Sequence, residues 1–247
     1  MLSKIQAIFA RSAFCGILPP SDKSVAGALR RSALTSRKKE HAERLELQRL
    51  EVGPWPMNCY LLRCPQTGQV AIVDPGEDAE AILSSLPDPG LACCILLTHA
   101  HPDHVGALEA IHQATAAPVG IHPADAELFG IGGDLPLLDG MEVLVGGCQL
   151  TVAHLPGHTP GSICLHFGGG AIVGDAIFPG GPGHTDSPEA LTQCIVSLGR
   201  VVFSWPDDTV LYPGHGDATT VGAERADFER FLAADHPADL CGDVTWR

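Results

Sequence analysis

The sequence predicts an α/β body built in layers, and three observations carry that expectation. From residue 45 the 247-residue chain reads as strand after strand, then as strands alternating with helices. Apolar residues make up 45% of it, enough for a sizeable core. Aromatic residues are only 5%, so that core must be packed from Val, Ile, Leu and Ala. Finally, the stretch 93–99 (CCILLTH) is apolar for five residues on end, the mark of a strand buried on both faces.

In chain order, LQRLEV (47–52), NCYLLRC (58–64) and QVAIVDP (69–75) are strands divided by turns rich in Pro and Gly. A short helix follows over 78–86, then the buried strand 93–99. Residues 104–115 have helical periodicity, 119–122 form a short strand and 123–129 a second short helix. Strands return over 148–155, 162–167 and 171–176. Residues 188–201 form a helix with Pro188 near its first turn. A strand over 208–214 and a helix over 222–235 close the pattern, the apolar stripes of both long helices being core faces. No repeat interrupts residues 45–247, which are read as one domain.

Charge separates the chain into two parts. Residues 1–44 hold nine Lys/Arg against three acids, a net of +6, whereas residues 45–247 hold six Arg, no Lys and 26 acids, a net of −20. So acidic a body repels nucleic acid, whose backbone needs clustered cations. The basic arm reads as a poorly ordered, solvated extension without assigned function. Arg11 interrupts its apolar stretch, unlike a secretory signal, but its composition would suit a transit peptide. The expected location is therefore cytoplasmic, or organellar if the arm is such a peptide. No run of 18 apolar residues exists to span a bilayer. The expected partner is a small-molecule substrate, with neither nucleic acid nor membrane, and the oligomeric state is left open.

The nine cysteines are odd in number, include no C-x-x-C pair and sit mostly in apolar runs. Reduced, buried thiols are expected. Adjacent in a strand, Cys93 and Cys94 should point to opposite faces, which disfavours joint metal binding.

The chemistry gathers in four loops, each after a strand. Thr98-His99-Ala100-His101-Pro102-Asp103-His104 places three imidazoles and a carboxylate within six positions. His99 and His101, two apart beyond a strand, can face one point, while Asp103 and His104 begin the next helix. The other loops supply His158 (in PGHTPG), Asp175 (after Val173-Gly174) and His215 (in YPGHG). No thiolate accompanies them, and an N/O donor set suits Zn²⁺, Fe or Mn²⁺ rather than a structural Cys-type zinc.

H-A-H-P-D-H followed by His158, Asp175 and His215 resembles the metallo-β-lactamase superfamily over roughly residues 45–235. The resemblance implies a four-layer αβ/βα sandwich, a single domain with two divalent metals at one edge, Zn first among the candidates. It also implies ligand roles. His99, His101 and His158 resemble the ligands of the first metal, Asp103, His104 and His215 those of the second, and Asp175 the carboxylate bridging both.

Such a pair of cations, about 3.5–4 Å apart, can hold a hydroxide and polarise a carbonyl. Asp103 is the candidate to orient the water and pass a proton. Metal-bound imidazoles need an acceptor on the far nitrogen. Asp74 could serve, or could simply be the turn residue of D-P-G.

The flanks NCYL (58–61), VDPG (73–76), FPGGPGHTD (178–186) and YPGHG (212–216) resemble the glyoxalase II-like branch, implying hydrolysis of an S-acylglutathione-like thioester. Two features depart from that branch: only 32 residues follow His215, and the body is poor in cations that would bind glutathione carboxylates. A neutral or different thioester stays open. Phe178 and His184 are the candidate substrate residues. The alternatives are a mononuclear iron persulfide dioxygenase, a lactone or other ester hydrolase of the same fold, and a non-catalytic binding module. Structural roles are expected for His122, His154 and His166, a surface position for His112, and solvated side chains for His41 and His236.

Overall fold

The computed structural model describes residues 17–18 and 44–246. The readings of the remaining arm, with Cys15 and His41, lie outside the described residues.

The chain runs β1 (Ile17–Leu18), β2 (Glu46–Val52), β3 (Met57–Arg63), β4 (Val70–Val73), α1 (Ala79–Ser84), β5 (Ala92–Leu96), α2 (Pro102–Val105), α3 (Leu108–Thr115), β6 (Val119–Ile121), α4 (Pro123–Phe129), β7 (Leu135–Pro136) and β8 (Glu142–Val145). It continues through β9 (Cys148–His154), β10 (Ile163–Phe167), β11 (Gly170–Gly174), β12 (Ile177–Phe178), β13 (Gly181–Pro182), α5 (Pro188–Arg200), β14 (Val210–Pro213), β15 (Thr219–Thr220) and α6 (Val221–Ala233). One sheet has the order β2-β3-β4-β5-β6-β7, the other β1-β8-β9-β10-β11-β14-β15, and β12-β13 pair by themselves.

Alternation along the strands builds the layers. In β3, Tyr60 and Leu62 face the second sheet, where they meet Val143, Leu150, Val152 and Leu165. Their neighbours Cys59 and Leu61 face outward and join Ile82 of α1 and Ile111 of α3. The second sheet repeats this: Cys164, Val173 and Leu211 pack outward against Leu191 and Leu198 of α5 and Phe228 and Phe231 of α6. Each such Leu or Ile, removed from water, contributes roughly 1.5–3 kcal/mol. Helix, sheet, sheet, helix is the four-layer αβ/βα sandwich that the sequence led one to expect.

Two local expectations fail. Cys93 and Cys94 do not diverge: their sulfurs are 3.8 Å apart, both against the inter-sheet core. The cause is an irregularity in register, Val70 pairing with Ala92 but Ala71 with Cys94, so Cys93 is the extra residue of a bulge and the alternation skips. The helix expected over 104–115 is two helices. The Ala107 amide donates to the carbonyls of Pro75 (3.0 Å) and Gly76 (2.9 Å) instead of continuing α2.

Parallel pairing of β4, β5 and β6 in one sheet and of β11 with β14 in the other brings their carboxyl ends to a common edge. Backbone bonds knit that edge: Ile163 N to Thr98 O (2.8 Å), Asn58 N to Gly214 O (2.7 Å) and Gly214 N to Gly174 O (3.0 Å).

Candidate metal centre

All seven expected donors meet at this edge. His99 and His101 leave the end of β5, and Pro102 at the first position of α2 turns the chain so that Asp103 and His104 enter from its first turn. His158 comes from the β9–β10 loop, Asp175 directly follows β11 and His215 follows β14.

Two triads result. The donor atoms of His99, His101 and His158 lie within 4.8 Å of one another, as do those of Asp103, His104 and His215. In the first, His158 Nε2 is 2.9 Å from His101 Nδ1. In the second, Asp103 Oδ2 is 3.1 Å from His215 Nε2 and 3.9 Å from His104 Nε2. Asp175 stands between them. Its Oδ1 is 3.4 Å from His104 Nε2, and its Oδ2 is 3.7 Å from His158 Nε2 and 3.6 Å from His215 Nε2. Glycine is required where β14 ends: a Cβ at Gly214 would overlap Asp175 Oδ1 and the His104 ring.

Four of the five imidazoles are fixed through Nδ1, which leaves Nε2 facing inward. Nδ1 of His99 lies 3.1 Å from Thr98 Oγ1, that of His104 3.1 Å from Asp74 Oδ2, that of His158 2.9 Å from the His184 carbonyl and that of His215 2.9 Å from the Pro56 carbonyl. Asp74 therefore supports the centre. It is buried, sits at φ +50°, and also accepts from Thr98 N (2.7 Å) and Thr98 Oγ1 (2.6 Å). Its donor atoms also group with His99 and His104, but hydrogen bonds already occupy both oxygens.

These residues fit a divalent cation. The Nε2 atoms of His99 and His104 and Oδ1 of Asp175 are buried without a hydrogen-bond partner. Orphaned polar atoms at this depth are costly unless something binds them. An all-N/O set of imidazoles and carboxylates suits Zn²⁺, Fe or Mn²⁺.

Charge around the centre is divided. Burial, then the imidazoles of His104, His158 and His101, holds His99 well below the usual histidine range. Burial and His158 likewise lower His101. For His104 burial opposes protonation, but Asp175 and Asp74 on its two nitrogens outweigh it and raise it to about 10. The hydrogen bond from His215 pulls Asp103 down to about 2, and the same contact raises His215. Asp175 is lowered despite its burial, chiefly by His104.

The candidate substrate residues differ. The Phe178 ring lies 6.5 Å from that of His215. The exposed His184 ring is held by Asp243 (2.8 Å) and Asp186 (3.5 Å), so its carbonyl, not its ring, serves the site.

The family model described as the metallo-beta-lactamase superfamily matches residues 52–220. The chain belongs to that superfamily. Among relatives, the hydroxyacylglutathione hydrolase GloC of Haemophilus influenzae is 31% identical over 207 residues, covering 73% of this chain and 95% of that protein. Among solved structures, TTHA1623 in a di-iron-bound form is 35% identical with a TM-score of 0.60, covering 72% of this chain and 96% of that one. ETHE1 from Myxococcus xanthus is 28% identical with a TM-score of 0.68, covering 77% and 86%. These neighbours support the glyoxalase II-like branch, as the flanking motifs suggest.

Superfamily membership accounts for the loops but leaves other residues that sequence reasoning passed over. The carbonyls of Pro56 and His184 have no side-chain signature. Phe129, whose ring is 5.5 Å from that of His101, borders the centre, and the 81% exposed Trp55 precedes Pro56 in the chain. Asp125 touches both loops of the first triad. Among the other histidines, His122 caps α4 through Nδ1 and stacks on His154 at 4.2 Å, and His166 packs on Trp205. His112 binds the Ala117 carbonyl (2.9 Å). His236 is not simply solvated: it bonds the Phe231 carbonyl (2.7 Å) and stacks on the Phe231 ring.

Proposed function

We propose that this chain is a binuclear metal-dependent hydrolase that cleaves a thioester, with Zn²⁺ as the resident metal and Fe or Mn²⁺ chemically suited to the same donors. The observation that carries this reading is the pair of donor triads joined by Asp175. His99, His101 and His158 would hold one cation, Asp103, His104 and His215 the other, and Asp175 would touch both. When bound, such cations lower the pKa of water towards ~7 and polarise a carbonyl.

The chain's own residues do the rest. Fixed Nδ1 contacts orient the imidazoles before substrate arrives, so little reorganisation is left for the reaction. Asp103, half exposed and held by His215, is placed to accept a hydrogen bond from the attacking water and orient it. A thiol leaving group, with an ordinary pKa of ~8.5, departs with little protonation, so no strong acid is needed.

Trp55, Phe129 and Phe178 make an apolar rim for an acyl or thiol moiety. From Arg49 to Arg230, each arginine of the described body already faces a carboxylate, Arg49 pairing with Asp217 (3.6 Å). The substrate class is therefore a small-molecule thioester, S-acylglutathione being the type to test because a relative carries that name. No nucleic-acid role is assigned to so acidic a body.

The test is a panel of thioesters, lactones and glutathione persulfide, run with metal quantification. Thioester hydrolysis lost to a chelator and restored by Zn²⁺ or Mn²⁺, and abolished in a folded Asp175→Ala variant, is expected. The ETHE1 likeness favours the second reading, an iron persulfide dioxygenase. One iron per chain with oxygen uptake on persulfide, and no thioester turnover, would establish that reading instead.

A further inference from the structure

Helix α4 brings a buried carboxylate against the centre from outside. Asp125, in the first turn of α4, is fully buried. Its Oδ2 accepts from the backbone amide of Ala100 (3.1 Å) and from Thr159 Oγ1 (2.8 Å), and its Oδ1 accepts from the amide of Gly161 (2.6 Å). These partners are specific in place. Ala100 stands between His99 and His101, Thr159 follows His158, and Gly161 completes the same loop. A Cβ on Gly161 would overlap the Asp125 carboxylate, so the loop is pressed onto it.

The two loops come from different sheets, one after β5 and one after β9. Backbone pairing between them is slight, the bond from Ile163 N to Thr98 O being one such link. One carboxylate thus spans the gap between the chain segments that carry His99, His101 and His158. It makes no contact with Asp103, His104 or His215 in the hydrogen bonds of the described residues. A charged acceptor taking three bonds in a dry site is far stiffer than a solvent-exposed turn.

We propose that Asp125 is a positioning residue for the first triad alone, setting the distance between His99/His101 and His158 and hence that triad's affinity for a divalent cation. This rests on the metal-centre reading above. Asp125→Asn keeps the shape but turns an NH₂ group towards an N–H or O–H donor, so one of its three partners is lost and the tie between the two loops is weakened.

The experiment is Zn²⁺ titration against a competing chelator, with the triads isolated. In a His215→Ala background, which leaves the first triad intact, adding Asp125→Asn is expected to weaken Zn²⁺ binding about ten- to hundredfold, the range for residues that orient ligands. In a His158→Ala background, which leaves the second triad, the same change is expected to leave the affinity within about twofold. Equal losses in both backgrounds would mean a general structural role, and no loss in the first would mean no role; either overturns the proposal. A wild-type chain that binds no Zn²⁺ would sink the metal reading itself, a different outcome. Should Asp125→Asn not fold, Thr159→Val removes one donor to the carboxylate while keeping the shape. A severalfold loss confined to the first triad is then expected, and an unchanged affinity there would overturn the proposal.

Discussion

At the scale of single residues the centre is governed by where its protons sit. His104 is held between Asp74 and Asp175, and its folded pKa of about 10 keeps it protonated at neutral pH. A metal at the second triad must displace that proton. In a His158→Ala background, chelator competition from pH 7 to 9 should show Zn²⁺ affinity rising about tenfold per pH unit. In a His215→Ala background no comparable rise is expected, because burial already keeps His99 and His101 neutral. A flat profile at both triads would disprove this account. The same proton bears on the metal-free fold. The unfolded chain releases it near pH ~6.5 and the folded one near 10. Its stabilisation is therefore complete below ~6.5 and lost as pH rises towards 10. Asp74 is the other residue on which much depends, since it accepts three buried hydrogen bonds. Asp74→Ala leaves the Thr98 amide and His104 Nδ1 without an acceptor. Denaturant unfolding of the metal-free variant should show a loss of about 3 kcal/mol or more; a loss under ~1 kcal/mol would mean that water replaces the carboxylate.

At the scale of elements, what the sequence reveals follows from range. Most of the longer strands and the long helices were legible because period-2 and period-3.6 patterns are local. So were the seven donors, because each lies within a few residues of a strand end. Helix α5 shows how local signals reach stability. Ser187 sits at its N-cap, its Oγ accepting from the Ala190 amide at 3.1 Å, with Pro188 next in line. Ser187→Ala should cost about 1 kcal/mol in urea unfolding without altering metal content, whereas a change in metal content would show that α5 reaches the centre. Strands β1, β7, β12, β13 and β15 were not legible, since two residues carry no period, and β8 (EVLV) was passed over because four residues give only two alternations. Nor was the bulge at Cys93, which depends on how β4 pairs with β5. The break between α2 and α3 is set by carbonyls distant in sequence, at Pro75 and Gly76. Asp125 falls in the same class: its partners lie in two distant loops, and nothing within α4 announces them.

At the scale of the whole molecule, charge decides how substrate arrives. The body from residue 45 carries a net of −20, and its arginines from Arg49 to Arg230 are matched by carboxylates. Among the described residues, the strong positive charge that the centre would offer an anion is that of the metal it is proposed to hold. A thioester bearing free carboxylates, such as S-lactoylglutathione, must therefore approach against the field of the body, and salt should help it by screening that repulsion. The screening length falls from ~30 Å at 0.01 M salt to ~3 Å at 1 M. Across that range kcat/KM for S-lactoylglutathione should rise severalfold, while an uncharged acyl thioester should show little change. The difference also separates field from fit. If Trp55, Phe129 and Phe178 hold the apolar part of the substrate, replacing Trp55 by Ala should raise KM for both compounds alike and leave the two salt profiles in place. A kcat/KM for S-lactoylglutathione that fell with salt would reveal a cationic patch steering it inward, and the account of an acidic body that repels an anionic substrate would have to be abandoned.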